Sequence, residues 1–388
     1  MNKEQAAHIF ISTGEASGEK LAVDLVTRLR QHHTNLSITA MGSTLLQALG
    51  ATILVNNSTI GIIGITQIIS KWFHIRRSFK TIKKHLQSAT PDLVILIDYS
   101  GFNLRLAKVA KKAGCKVLYY VSPQIWASRF KRIHAIKRYV DRMAVLYPFE
   151  KKLYDAHQVS VSYVGHPALT RINTVLTEAD TPATANDKMK IALLPGSRAT
   201  EINTLLPVML KAAQLIQSHY PDTHFILPLS NNISKNKIKS KIPSHIEIIT
   251  DSHLSHIKGV HCALCTSGTV TLEVALLGVP HVIIYKTSKL TWAIASRLVQ
   301  TPYVGLPNIL SQQRIVPELL QKNATAQRIF QSIQPMINDA KYRQLIKKQF
   351  QRLREDFNDE EQTEDIAKVA LHLLFPITTA TCTSPTPT

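Results

Sequence analysis

The sequence is short of several features by which protein classes are usually known. Its 388 residues include four cysteines, Cys115, Cys262, Cys265 and Cys382, too few for a disulfide framework. Cys262 and Cys265 form a lone CxxC inside an apolar run that reads as a strand. Positions three apart on a strand point to opposite faces, so neither a metal clamp nor a redox pair is expected. No uninterrupted apolar run reaches the length of a membrane-spanning helix, and the first ten residues lack the apolar stretch of a signal peptide. Residence in the cytosol is the expectation. Aromatic residues make up only 6% and are not interleaved with the basic ones, which argues against a nucleic-acid binder. Neither GxxxxGK[ST] nor GxGxxG occurs, which removes the P-loop ATPases and the usual dinucleotide fingerprint. There is no DxD pair and no His/Cys cluster at ligand spacing, so no metal and no cofactor are expected. Acidic residues are scarce beside basic ones, 26 against 46, a net charge of +20.

That charge is uneven. Residues 71–151 hold 18 Lys and Arg against four Asp and Glu. Such a surplus favours phosphate-bearing or anionic partners, although it also suits a merely solvated surface. Elsewhere the chain repeats one pattern: an apolar run, a turn, an amphipathic helix. "HIFIST", "SITAMGS", "DLVILI", "KVLYYV", "RMAVLY" and "VSYVG" are strands of a first half. The pattern restarts with "KIALLPGSRATEI" and continues through "HFILPLS", "IEIITD", "CALCTS" and "HVIIYKT". Apolar strands alternating with helices indicate parallel sheets covered on both faces. The expected fold class is therefore α/β, with two doubly wound domains whose strand ends face each other across a cleft. Expected boundaries are residues 1–172, a polar linker at 173–188, a second domain at 189–350, a C-terminal helix within 351–375 packing back towards the first domain, and a disordered tail at 376–388.

Three strand ends carry polar groups. Asp98 follows the apolar run of residues 93–97, and in a parallel sheet the carboxyl edge is where ligands bind. Whether it is a cap, an ion-pair partner or a reacting group is open from the local sequence. "LLPGSRATEI" sets Gly196, Ser197 and Arg198 between a strand and a helix, where free N–H groups and a guanidinium suit an anion, as the same residues suit a simple cap. "CTSGTVTLE" sets Ser267, Gly268 and Thr269 at another helix entry, with Glu273 one turn beyond Thr269. Small donors there suit a diphosphate, and a carboxylate suits vicinal sugar hydroxyls. Two such turns in one domain favour nucleotide binding.

Eight segments, "STGEASGEKLA" (12–22), "IDYSGFNLRLAK" (97–108), "YVSPQIWA" (120–127), "LYPFEKKLY" (146–154), "VGHPAL" (164–169), "LLPGSRATEI" (193–202), "TSGTVTLEVALLGVP" (266–280) and "GLPNILSQQRIVPELLQ" (305–321), resemble the lipid-A-disaccharide synthase family in its own order. The resemblance implies a GT-B glycosyltransferase. Its donor would be UDP-2,3-diacylglucosamine, its acceptor 2,3-diacylglucosamine 1-phosphate, and its products a β(1→6)-linked disaccharide 1-phosphate and UDP. Ser100 and Gly101 stand where the family often has a proline and a second aspartate, and Glu19 where it usually has Asp.

Inversion at the anomeric carbon calls for a base to take the acceptor proton and for charge stabilisation of the leaving diphosphate. Asp98 is the first candidate base. Glu15 is the second, or else an acceptor-binding group. Arg198, Ser267, Gly268, Thr269 and Glu273 are expected at the donor, and the resemblance adds Asn308, Glu318 and Gln321. Trp126 suits a sugar or uracil face or, more commonly, a core. Acylated substrates demand a bilayer surface. Residues 60–86 combine apolar positions, among them Ile63, Ile65, Ile68, Ile69, Trp72 and Phe79, with a cationic flank, the pattern of an interfacial helix or of a core helix with a basic outer face. The expected partners are the two acylated sugars and an anionic membrane, with no nucleic acid and a homo-oligomer left open. The expected location is the inner face of the bacterial inner membrane. A rival reading is another GT-B enzyme acting on UDP-N-acetylglucosamine, a peptidoglycan glycosyltransferase or a 2-epimerase, and a more distant one a basic nucleic-acid-binding protein.

Overall fold

A computed structural model describes residues 6–14, 16–57, 68–178, 189–229, 242–250, 253–298, 301–357 and 363–376. The chain divides into two compact units, residues 1–165 with 360–388, and residues 166–359. Each is built on a wholly parallel sheet, so the α/β expectation is borne out.

The first unit carries strands β1 (Ala7–Thr13), β2 (Leu36–Gly42), β3 (Thr52–Asn56), β4 (Leu93–Ile97), β5 (Lys116–Tyr120), β6 (Arg142–Val145) and β7 (Val161–Tyr163), in the order β3-β2-β1-β4-β5-β6-β7. The order reverses between β1 and β4, and the crevice above such a reversal is where ligands bind. β4 shows why the sequence folds this way. Its five side chains, Leu-Val-Ile-Leu-Ile, are all fully buried, three of them β-branched and suited to the pleat. Each such burial contributes about 1.5–3 kcal/mol. The helix after it, Ser100–Lys112, buries Phe102, Leu106, Ala107 and Ala110, spaced three and four apart on one face.

The second unit carries β8 (Lys190–Leu194), β9 (His224–Pro228), β10 (Ile246–Ile249), β11 (Cys262–Thr266), β12 (His281–Tyr285) and β13 (Glu318–Leu320), in the order β10-β9-β8-β11-β12-β13. Its reversal lies between β8 and β11. Cys262 and Cys265 are fully buried on β11, and burial pushes the Cys262 thiol up to about 12 and that of Cys265 higher still.

Two sequence expectations change here. Residues 173–177 end the helix Pro167–Thr177 and are not linker. The expected C-terminal helix is two helices: Ala340–Phe357, which lies in the second unit, and Ile366–Leu374, which lies in the first. The latter packs on the helix Ala16–His32 and on β5, and Asp365 caps it by accepting from the Ala367 N–H at 2.7 Å. Thr363 pairs with Tyr163, extending the sheet edge at β7.

The stripe at residues 75–86 takes the core-helix form. In the helix Ile68–Ala89, Ile82 and Leu86 are fully buried and Ile75 packs against the core. Phe79 meets Phe102 edge-on at 5.5 Å, so it faces the core and not a membrane. Trp72 and Phe73, by contrast, are 51% and 62% exposed. The Arg76 guanidinium lies 4.2 Å from the Trp72 ring centre. Ile63 and Ile65, and the side chains of Ile68 and Ile69, lie outside the described residues. Among the described residues no helix is long and apolar enough to cross a membrane.

Candidate active site

Asp98 stands at the carboxyl end of β4, beside the reversal of strand order, and is half-buried. Its backbone and that of Tyr99 both adopt left-handed conformations, φ 49° and 46°. Two such residues in succession are costly and persist only where their surroundings hold them. The hold is visible. The Asp98 N–H donates to Tyr120 O at 3.0 Å. Its carbonyl accepts from Asn103 Nδ2 at 2.9 Å and from the Tyr119 hydroxyl at 2.8 Å. Asn103 has no exposed surface; it also donates to Ile97 O, and its Oδ1 accepts from Ser12 Oγ at 2.7 Å. Ser12 belongs to β1, so one buried amide links the two strands that flank the reversal. A Cβ on Gly14 would come within 2.2 Å of the Tyr99 ring, which is why glycine follows β1 here.

Around this core lie charged groups. Arg132 donates to Ser100 Oγ at 3.0 Å, and burial together with Arg129 lowers its pKa. The Tyr119 phenol is pushed well above its ordinary value, first by burial and then by the Asp98 charge, while Arg132 opposes. Glu19, almost buried, accepts from the Ser43 N–H and from Asn57 Nδ2, both at 2.6 Å, and Asn57 also donates to Thr13 Oγ1. The longer acid at position 19 thus ties the ends of β1, β2 and β3. Glu15 lies outside the described residues.

The second unit presents its own edge. Gly196, at φ 118°, follows β8, and a Cβ on it would meet Glu201. Glu201 Oε2 accepts from the N–H groups of Ser197 and Arg198 at 3.2 and 3.3 Å, while its Oε1 lies 3.5 Å from the Arg198 guanidinium. Two of the N–H groups read from sequence as open to an anion are therefore engaged by the third residue of the same helix, Ala199–His219. The Arg198 side chain remains 66% exposed.

Past β11, Ser267 Oγ donates to Val304 O at 3.0 Å, and Gly268 and Thr269 are exposed at the start of the helix Thr269–Leu276. Glu273, nearly buried on that helix, pairs with the Arg171 guanidinium at 2.9 Å. His166 caps the helix Pro167–Thr177 by accepting from the Ala168 N–H, and burial lowers its pKa to about 4.

Asn308 requires a correction. It has no exposed surface, so it does not meet a donor directly. Its Nδ2 donates to Val316 O and Glu318 Oε1, both at 2.9 Å, and its Oδ1 accepts from the N–H groups of Ile315 and Val316. Glu318 likewise accepts from the N–H groups of Val304 and Gly305, each at 2.9 Å. Both residues shape the loop at 304–308 from behind. Gln321, with its amide assigned by its hydrogen bonds, pairs with both backbone groups of Thr287 at 3.1 and 3.3 Å.

Sequence reasoning missed Glu201, Arg171, Arg132 and Glu150. Glu201 carried a usable signal: an acid three residues after a helix start is the far half of a capping box. Glu150 carried none. Among the described residues no group of three or more His, Cys, Asp or Glu is placed to hold a metal ion.

Two parallel sheets with the orders found here are those of the GT-B fold. The calicheamicin glycosyltransferase shares the fold at a TM-score of 0.61 and 12% identity, over 96% of this chain and all of that one. The UDP-N-acetylglucosamine 2-epimerase of Neisseria meningitidis, solved with UDP-GlcNAc bound, shares it at 0.55 and 12%, over 95% and 99%. The particular branch follows from sequence. A model of the lipid-A-disaccharide synthetase family matches residues 9–372. A lipid-A-disaccharide synthase of Coxiella burnetii is 41% identical over 95% of this chain and 98% of its own length. One from Geobacter metallireducens is 37% identical over 94% and 97%. The chain belongs to the lipid-A-disaccharide synthase family, as its motifs implied, and the epimerase and nucleic-acid readings are not favoured.

Proposed function

We propose that this protein is an inverting hexosyltransferase that joins UDP-2,3-diacylglucosamine to 2,3-diacylglucosamine 1-phosphate. The 6-hydroxyl of the acceptor attacks the anomeric carbon of the donor. The C–O bond to the diphosphate breaks, UDP leaves, and a β(1→6) disaccharide 1-phosphate forms. Asp98 takes the proton of the attacking hydroxyl. The observation that carries this role is a half-buried carboxylate at the strand reversal, on a left-handed backbone held by Asn103, Tyr119 and Tyr120. A base fixed so firmly loses little in reorganisation when the proton moves.

The diphosphate falls to the second unit. Arg198 meets its charge, with Thr269 and the N–H groups at the start of the helix Thr269–Leu276 behind it. Glu273, oriented by Arg171, accepts from the ribose hydroxyls. Asn308 and Glu318 act on the donor only through the 304–308 backbone. No metal is required in this scheme. The exposed pair Trp72 and Phe73, the Arg76 beside them and the basic surplus of residues 71–151 support a peripheral hold on an anionic inner-membrane leaflet, where each Lys or Arg contributes about 1 kcal/mol.

The deciding experiment gives purified protein radiolabelled acylated glucosamine 1-phosphate and UDP-diacylglucosamine. A labelled disaccharide is the expected product, and its absence overturns the reading. Incubation with UDP-N-acetylglucosamine alone is the control, and conversion there would point to an epimerase.

A further inference from the structure

The reaction as described leaves one deeply buried acid without a task. Glu150 is the third residue of the helix Pro148–Ala156, just beyond β6, and is 2% exposed. Its Oε1 accepts from the Trp126 indole N–H at 3.1 Å. Trp126 rides on the loop that follows β5. Its ring meets Phe149 edge-on at 5.3 Å, and Phe149 stacks on Tyr147.

A buried carboxylate is normally paired with a cation. Here, among the described residues, the groups that stabilise the ionised form are all neutral: Trp126, Ser122, and the backbone at Tyr147 and Leu146. The ionisable groups facing it are the phenols of Tyr147, from the end of β6, and Tyr154, from its own helix. Both are pushed above their ordinary value by burial first and by Glu150 as a further cause. Burial in turn pushes the Glu150 carboxyl up to about 8.

On the same loop, the Ser122 hydroxyl lies 2.7 Å from Tyr154 Oη.

We propose that Glu150 is a positioning residue for the transfer reaction, its buried carboxyl holding the 121–128 loop at the carboxyl edge of the first sheet through the Trp126 indole. This rests on the reading of that edge as the acceptor side. The Trp126 indole N–H can only donate, so it bonds the carboxyl in either protonation state, and the ionised one more strongly.

The test reads the bond and the rate separately. Full-length protein labelled with 15N-tryptophan gives three indole signals, one per Trp, and Trp126→Phe identifies one of them. The expected result is that this signal shifts with a midpoint near pH 8 in the parent and stays still in Glu150→Gln. In the disaccharide assay Glu150→Ala is expected to lose about tenfold to a hundredfold in kcat, the scale of a misplaced site. Glu150→Gln, which keeps a carbonyl oxygen to accept from the indole, is expected to recover most of that loss. An indole that does not titrate between about pH 6.5 and 9.5, or one that titrates equally in Glu150→Gln, overturns the proposal. So does a Glu150→Gln variant as slow as Glu150→Ala. If Glu150→Ala does not fold, the Gln variant and the indole signal still decide. If the parent forms no disaccharide, the positioning role falls with the function, and the titration shows whether the pocket itself was read correctly.

Discussion

The carboxyl edges of the two sheets use the same topology and opposite chemistry. In the first, the acid is forward: Asp98 stands at the strand end, while neutral groups, Asn103, Ser12 and Tyr119, hold its backbone from behind. In the second, the cation and hydroxyl are forward: Arg198, Gly268 and Thr269 are exposed, while the acids Glu201 and Glu318 are turned back onto N–H groups. On the proposed reading, an edge that accepts a proton holds its carboxylate at the strand end by the backbone. An edge that must accept a diphosphate keeps its own carboxylates occupied, since a free one would repel the ligand. The same strand-turn-helix unit thus becomes a base or an anion site according to which charge its framework leaves at the front.

The contrast breaks most severely at Asp98. Asp98→Asn keeps the shape and removes the proton acceptor. Turnover is expected to fall by about a thousandfold, within the range assigned to a positioned base. Thermal unfolding should be unaltered, because the groups that hold the residue bond its backbone. Disaccharide formation at near-parental rate in this variant would remove Asp98 as the base.

Next in size is the response to pH, where the units again differ. His281 is fully buried in the second unit, its pKa lowered to about 4 from 6.5 by burial. Below pH 6.5 the unfolded chain takes up a proton that the folded chain refuses. Stability is therefore complete above 6.5 and is lost as pH falls towards 4, roughly 3 kcal/mol for this group. Glu150 in the first unit tilts the other way. Its folded value is about 8 against an ordinary 4.5, so stability falls as pH rises between them, about 1.4 kcal/mol per pH unit. Urea unfolding of the parent, His281→Asn and Glu150→Gln across pH 4–9 checks both slopes. A His281→Asn profile as steep in acid as the parent's would remove the first of them.

Asn308 and Arg198 separate the framework of the second edge from its face. Asn308→Ala strands the N–H groups of Ile315 and Val316 and the Val316 carbonyl, at about 1–3 kcal/mol in urea unfolding. Arg198→Ala should leave stability within about 0.5 kcal/mol, as exposed substitutions do. It should weaken UDP about tenfold by calorimetry, the scale of one charge-assisted contact. If UDP binds the Arg198 variant as before, the phosphate contact lies elsewhere.

What could be read in advance follows from this division. Burial on both faces prints a continuous apolar run, so β4 and β11 were plain in "LVILI" and "CALCT". Turn chemistry prints Gly, Ser and Thr, so both edges were findable. The direction of a polar side chain prints nothing. Asn308 looked the same in sequence whether it met a donor or saturated a turn, and Phe79 the same whether it met lipid or Phe102. Glu150 showed only as a charge near a helix start, because what makes it unusual is burial by residues from β5 and β6.

The smallest expected effect bears most directly on the first edge. Gly101 stands where the family often carries a second aspartate, in the first turn of the helix Ser100–Lys112. It is exposed, and a Cβ added there would meet no atom within 4 Å. Its backbone is not among the left-handed residues, so a side chain brings no strain. Gly101→Ala should therefore stabilise the protein by about 0.5–1 kcal/mol through the unfolded chain. Gly101→Asp should gain in addition a few tenths of a kcal/mol from a negative charge near a helix N-terminus. If Asp98 alone accepts the proton, the two variants share the parental turnover within about twofold, below 0.5 kcal/mol in the barrier. A tenfold rise confined to Gly101→Asp would mean that this edge works best with two acids forward, and that Asp98 carries only part of the base's task.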